Sequence, residues 1–148
     1  MKIAVKIAMI RTYVDANLLI IAFRGNDAGV AAAIQVLDDA RRIWVSSAFL
    51  RLEILRKPLF YQRDDEIGFM EAFCARVNDW VVVDDALVQQ ALSLAADYDL
   101  GSMDALHLAA ALTGQAEEFV TLEKPSKPMF RVPGLRVVSL HPEMPISF

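Results

Sequence analysis

The stretch IRTYVDANLLI, residues 10–20, decides the fold class. Ile10 to Val14 reads as a short strand that stops at Asp15, and Asn17 is a good N-cap for the helix that follows. The same handover recurs downstream. Ile43 to Val45 is an apolar run ended by Ser46 and Ser47, either of which can cap a helix running to about Arg56. Helical periodicity marks Ala28 to Arg42, Ala86 to Tyr98 and Met103 to Thr113. It also marks Asp64 to Asn78, where Ile67, Met70, Phe73 and Val77 share one stripe. Trp80 to Val83, Phe119 to Thr121 and Leu135 to Ser139 complete the predicted strands. Short apolar strands alternating with helices predict an α/β domain whose mostly parallel central sheet is covered on both faces. Such sheets bind ligands in the crevice beyond the carboxyl ends of their strands. Asp15, Glu123 and the Ser46–Ser47 turn all fall there.

Four acidic residues stand where strands hand over to helices or loops: Asp15, Glu53 in SSAFLRLEILRK, Asp104 in LGSMDALHLAAAL and Glu123 in FVTLEK. Each has an ordinary use: Asp15 as a turn former, Glu53 as an ion-pair partner for Lys57, Asp104 in a first helical turn, Glu123 in a solvated loop. Together they point elsewhere, because four carboxylates gathered beside apolar segments repel one another unless a cation compensates them. A cluster of hard oxygen ligands in an α/β chain indicates a divalent metal and phosphodiester chemistry. Mg²⁺, or Mn²⁺ in its place, needs only one or two direct carboxylates. Asp15 and Asp104 are the expected principal ligands, with Glu53 and Glu123 holding water of the ion's shell or a second ion. Asn17 cannot ionise and would orient a water or a carboxylate; Ser47 and Thr121 would donate hydrogen bonds in the same crevice. His107, one helical turn after Asp104, is expected to pack behind the site, the only other histidine being His141.

The bulk composition limits the alternatives. The chain has 148 residues, 55% of them apolar and 23% charged, enough for one domain that buries roughly 70% of its unfolded surface. A net charge of −4 argues against a protein that holds nucleic acid by bulk electrostatics. Local cation clusters remain: Lys124, Lys127 and Arg131 in KPSKPMFR, with Arg51 and Arg56 on the helix that carries Glu53. Cys74 is the sole cysteine, so an internal disulfide is impossible and a reducing cytoplasm is expected. Lys6 and Arg11 interrupt the apolar N-terminus short of a signal-peptide core, and no uncharged stretch approaches the ~18 apolar residues of a membrane span. Residues 1–8 form either an amphipathic edge strand or an extension; residues 9–148 are predicted to be one domain.

These motifs resemble the PIN-domain nucleases, in particular the small single-domain toxins of VapC type. YVDANLLI is similar to the family's opening strand and DxN signature, SSAFLRLEILRK to the helix of its second acid, and LGSMDALHLAAAL to its third motif. FVTLEK resembles its last strand, with Glu123 where the family usually has Asp. The resemblance runs from Met9 to Leu140. It implies a three-layer α/β/α fold, Mg²⁺- or Mn²⁺-dependent endoribonuclease activity and, in the toxin branch, a cognate antitoxin and a homodimer. A stand-alone RNA-processing protein and a catalytically inactive scaffold of the same fold are the alternatives. Phosphotransfer to an aspartate is disfavoured, since the partner two residues after Asp15 is Asn17.

Overall fold

The computed structural model describes residues 8–25 and 28–142; the N-terminal alternation of Ile3, Val5 and Ile7 lies outside them. Five strands form one parallel sheet: β1 Ile10–Val14, β2 Arg42–Ser46, β3 Asp79–Trp80, β4 Glu118–Thr121 and β5 Arg136–Ser139, in the order β3-β2-β1-β4-β5. Six α-helices connect them: α1 Ala16–Arg24, α2 Ala28–Leu37, α3 Ala48–Phe60, α4 Asp64–Arg76, α5 Asp85–Tyr98 and α6 Ser102–Thr113. This is the expected three-layer α/β fold. The chain winds outward through β2 and β3, then crosses back over β1 to β4, so the topological switch point lies between β1 and β4. Ligand crevices open at such points.

Strand alternation divides the apolar residues between two cores. Tyr13, Val45 and Phe119 face one side, against Leu108, Ala109 and Ala110 of α6 and Leu87 and Ala91 of α5. Their neighbours Val14, Trp44 and Val120 face the other, against Leu18 and Leu19 of α1, Leu50 and Ile54 of α3 and Met70 of α4. A period of two puts successive side chains on opposite faces, so a sheet buried on both must be apolar at nearly every position. The small residues of LAAAL let α6 lie close to the sheet, with Leu108 through Ala111 wholly inaccessible.

Several boundaries differ from expectation for identifiable reasons. The cap of α1 is Asp15, not Asn17: the Asp15 carboxylate accepts from the Ala16 N–H. The helix predicted to run to Arg42 ends at Leu37, where Asp39 gathers Arg41 and Arg42 into a turn that begins β2. In α3 the helix continues past Arg56 through Pro58 to Phe60. The apolar run after Trp80 is not strand: only Asp79 and Trp80 pair with β2, and Val82 is 73% exposed. Asp84 caps α5 by accepting from the Leu87 N–H. The loop after Glu123 contains one 3₁₀ turn, Pro128–Arg131.

Candidate active site

Asp15 follows the last residue of β1 and Thr121 ends β4, which places both at the switch point. Asp15 is 7% exposed, and its two oxygens accept from neutral donors: Oδ1 from the Ala16 N–H at 2.8 Å and Oδ2 from Thr121 Oγ1 at 2.8 Å. Thr121 Oγ1 in turn accepts from Asn17 Nδ2 at 3.3 Å and from the Glu123 N–H at 3.1 Å. Asn17 Oδ1 accepts from the Leu122 N–H at 3.2 Å, and Ser139 Oγ donates to the Glu123 carbonyl at 2.6 Å. The DxN spacing thus stitches the start of α1 to the end of β4. Asn17 holds strand-end backbone, a more structural task than orienting a water.

The other carboxylates approach from the helices. Asp104 lies in the first turn of α6, half-buried, and Glu123 lies just beyond β4. Burial raises the Asp104 carboxyl above its ordinary value, and the charges of Glu123 and Glu53 raise it further. Burial likewise raises Asp15, with Asp104 adding to the shift against the opposing His107 and the hydrogen bonds of Thr121 and Ala16. Asp104 is thus electrostatically linked to Asp15, Glu123 and Glu53. Glu53 behaves differently: hydrogen bonding to His107 holds its carboxyl below the ordinary value despite partial burial.

Behind Glu53 runs a hydrogen-bonded chain that no local motif announced. His107 Nε2 contacts Glu53 Oε1, and His107 Nδ1 lies 2.7 Å from the Tyr13 hydroxyl. That hydroxyl lies 2.7 Å from Ser47 Oγ. Tyr13, Ser47 and His107 are essentially inaccessible, and burial pushes the Tyr13 phenol far above its ordinary value. Ser47 is the N-cap of α3 by backbone geometry but makes no side-chain cap, its hydroxyl being engaged by Tyr13. It serves this interior chain and not the crevice wall. Sequence signals for Tyr13 and His107 existed only as a polar atom in each of two apolar segments.

Of the basic residues, Lys127 is exposed and its charge acts on Asp104, while Arg56 acts on Glu53. Lys124 is also exposed. Arg131 donates to the Tyr98 carbonyl at 3.2 Å, at the end of α5, and Arg51 pairs with Glu71 at 2.8 Å.

The donor types suit a hard divalent cation: carboxylate oxygens at partly exposed positions, with Asp15 buried among neutral donors only. Among the described residues, no group of three or more His, Cys, Asp or Glu side chains is arranged to hold a metal ion, so the fit rests on the type of the donors and not on their geometry. His107 is unsuited to be a ligand, since both its ring nitrogens are taken by Tyr13 and Glu53.

The PIN domain family model matches residues 12–124. Among solved structures, the chain is similar to a VapBC2 complex from Rickettsia felis bound to a promoter DNA fragment, with a TM-score of 0.66 and 14% identity over 88% of this chain and 98% of that one. A toxin–antitoxin complex from Klebsiella pneumoniae gives a TM-score of 0.65 and 19% identity over 87% of this chain and 97% of that one. A DNA-bound VapBC from Salmonella typhimurium gives 0.64 and 16% over 89% and 99%. At these identities the likeness establishes the fold. No curated protein matches.

Proposed function

The chain belongs to the PIN domain family, and on that premise we propose that it is a divalent-metal-dependent endoribonuclease, the toxin of a toxin–antitoxin pair. The observation that supports the activity is that Asp15, beside the β1–β4 switch point, and Asp104 are each raised by burial and by other carboxylates, Asp104 acting on Asp15, and Glu123 and Glu53 acting on Asp104. Buried like charges are stable only when compensated, and a polyanionic substrate brings no positive charge of its own. Mg²⁺ or Mn²⁺ fits the oxygen donors, with Asp15 and Asp104 as direct ligands and Glu53 and Glu123 holding the surrounding waters.

The bound ion would supply Lewis acidity, lowering the pKa of a water and neutralising charge on the scissile phosphate. The protein's part is placement. Thr121 and the Ala16 N–H fix both oxygens of Asp15, and Asn17 ties that corner to the end of β4. Asp104 approaches from the first turn of α6, where the helix dipole favours a carboxylate. Lys127, and with it Lys124, would steady RNA phosphates beside the acids, in keeping with an acidic protein that binds its substrate locally.

The toxin reading rests on the solved complexes the fold resembles, which are named as VapBC or toxin–antitoxin assemblies. An apolar recess between α1, α2 and α4, lined by Ala22, Ile34, Leu37, Phe69 and Phe73, offers an antitoxin segment a place to bury side chains. Exposed Leu59, Phe60 and Tyr61 at the end of α3 suit a homodimer contact. The decisive experiment pairs Mn²⁺ titration calorimetry with RNA cleavage. Wild type should bind Mn²⁺ and cut only with metal present. Asp104→Asn should lose both functions while melting as a folded protein, and cleavage by Asp104→Asn at the wild-type rate would overturn the assignment.

A further inference from the structure

Glu53 is the most exposed end of a chain that is otherwise sealed. Its side chain is 32% accessible, whereas His107 behind it is 1% accessible. A glutamate on a helix surface has three rotatable bonds and no reason to hold one position. Here the Oε1 atom is held by His107 Nε2, while Oε2 accepts no hydrogen bond from a described residue. An ionised carboxylate can only accept, so His107 Nε2 must be the donor. In the tautomer with its proton on Nε2 alone, Nδ1 accepts a hydrogen bond from the Tyr13 hydroxyl, leaving the Tyr13 oxygen to accept from Ser47. The polar side-chain atoms of Ser47, Tyr13 and His107 are all satisfied in that one direction, and packing against Phe119, whose ring is stacked at 5.5 Å, keeps Tyr13 from turning away.

Resting on the proposed metal-dependent reading, we infer that His107 is a positioning residue: its Nε2–H, oriented by Tyr13 and Ser47, fixes Glu53 so that the free Oε2 faces the cation site. His107 does not touch the ion or the RNA. It converts a flexible acid into a preorganised one, through partners that lie 34, 94 and 54 residues apart along the chain. Histidine supplies what the position requires, a donor and an acceptor on opposite edges of one rigid ring.

Two measurements test this. In the metal-free protein, long-range ¹H–¹⁵N NMR of His107 should show a proton on Nε2 with Nδ1 unprotonated, and Tyr13→Phe should blur that pattern. A proton on Nδ1 with Nε2 bare overturns the inference. Mn²⁺ calorimetry then uses Glu53→Gln, His107→Leu, the double variant and His107→Gln, each checked by thermal melting. His107→Leu should weaken Mn²⁺ binding by about 10-fold, the lower end for a residue that orients a ligand. It should add nothing in the Glu53→Gln background, and His107→Gln, which keeps a donor amide, should recover most of the loss. Weakening by Glu53→Gln with none from His107→Leu, or fully additive losses, overturns the positioning role and leaves the metal reading standing. Unchanged Mn²⁺ binding in Glu53→Gln and in Asp15→Asn overturns both.

Discussion

Two acids in this protein are buried to nearly the same degree, Glu66 at 3% exposure and Asp15 at 7%, and their surroundings are opposite. Glu66 on α4 receives Arg24 in a two-pronged grip, Nε at 2.8 Å and Nη2 at 3.0 Å, with Arg63 further out at 3.5 Å. That bond to Glu66 raises the Arg24 pKa. Asp15 receives only a backbone N–H and a threonine hydroxyl, with no ion-pair partner among the described residues; His107 opposes the rise of its carboxyl and Asp104 adds to it. Burial alone does not mark a functional acid. What separates the two is whether the protein supplies the countercharge. Where it does, the pair is architecture; where it does not, the missing charge is, in the proposed function, that of a bound cation.

The sharpest way to break that comparison is to neutralise each acid in turn. Asp15→Asn should abolish metal-dependent cleavage and raise the melting temperature of the metal-free protein. Glu66→Gln should do the reverse, lowering the melting temperature because Arg24 loses its partner, with Mn²⁺ affinity unchanged. The pH dependence carries the same signature. The Asp15 carboxyl is raised in the folded state, so the folded protein holds its proton more tightly than the unfolded chain. Stability of the metal-free protein therefore falls as pH rises from the ordinary aspartate range through the raised folded value, and is restored on acidification. Asp15→Asn should flatten that decline in a series of melts from pH 4 to 8. A wild-type curve that climbs throughout that range would contradict it.

A smaller effect is expected from the neutral donors that hold Asp15. Thr121→Val keeps shape and volume but removes the hydroxyl that donates to Asp15 and accepts from Asn17 and Glu123. Leaving buried polar groups unsatisfied should destabilise the fold by about 1–3 kcal/mol in denaturant titration. Metal binding should weaken without being lost, since the Asp15 charge remains. A neutral Thr121→Val would mean that the corner is wetter than its burial implies.

How far the sequence discloses this arrangement depends on the distance over which the information is carried. The strand IRTYV ending at Asp15 and the helix opening near Asp104 are local patterns, and both appear where expected. The sheet, its covered faces and the crevice at the strand ends follow from them. Caps resist such reading, because Asp15 and Asn17 are both good cap residues two positions apart, and the choice falls to Asp15 once Asn17 is drawn to Leu122 across the switch point. The VVV run after Trp80 is ideal strand material, yet β3 is an edge that ends after two residues. The Ser47–Tyr13–His107–Glu53 chain is the least legible part, since β1, α3 and α6 must all come together before it is complete. Tyr13 and His107 look like apolar-core residues until their hydroxyl and ring nitrogens are found to share partners.

The mildest test concerns the exposed side of the site, where the cations of KPSKPMFR divide into unlike roles. Lys127 is exposed and its charge opposes the rise of the Asp104 carboxyl. Arg131 is tied to the end of α5 through the Tyr98 carbonyl. If Lys127 makes one phosphate contact, Lys127→Ala should reduce the salt dependence of single-stranded RNA binding by ~0.7 log units per log unit of salt. Arg131→Ala should leave that slope unchanged, because its guanidinium is committed to a carbonyl. Mn²⁺ affinity should barely shift in either variant, as no ligand is altered. The measurement is RNA affinity against salt in catalytically silent Asp104→Asn protein, so that cleavage does not consume the probe. Equal slopes for Lys127→Ala and wild type would remove the loop from the RNA path and leave the opposite wall, with Arg56 beside Glu53, to hold the phosphates.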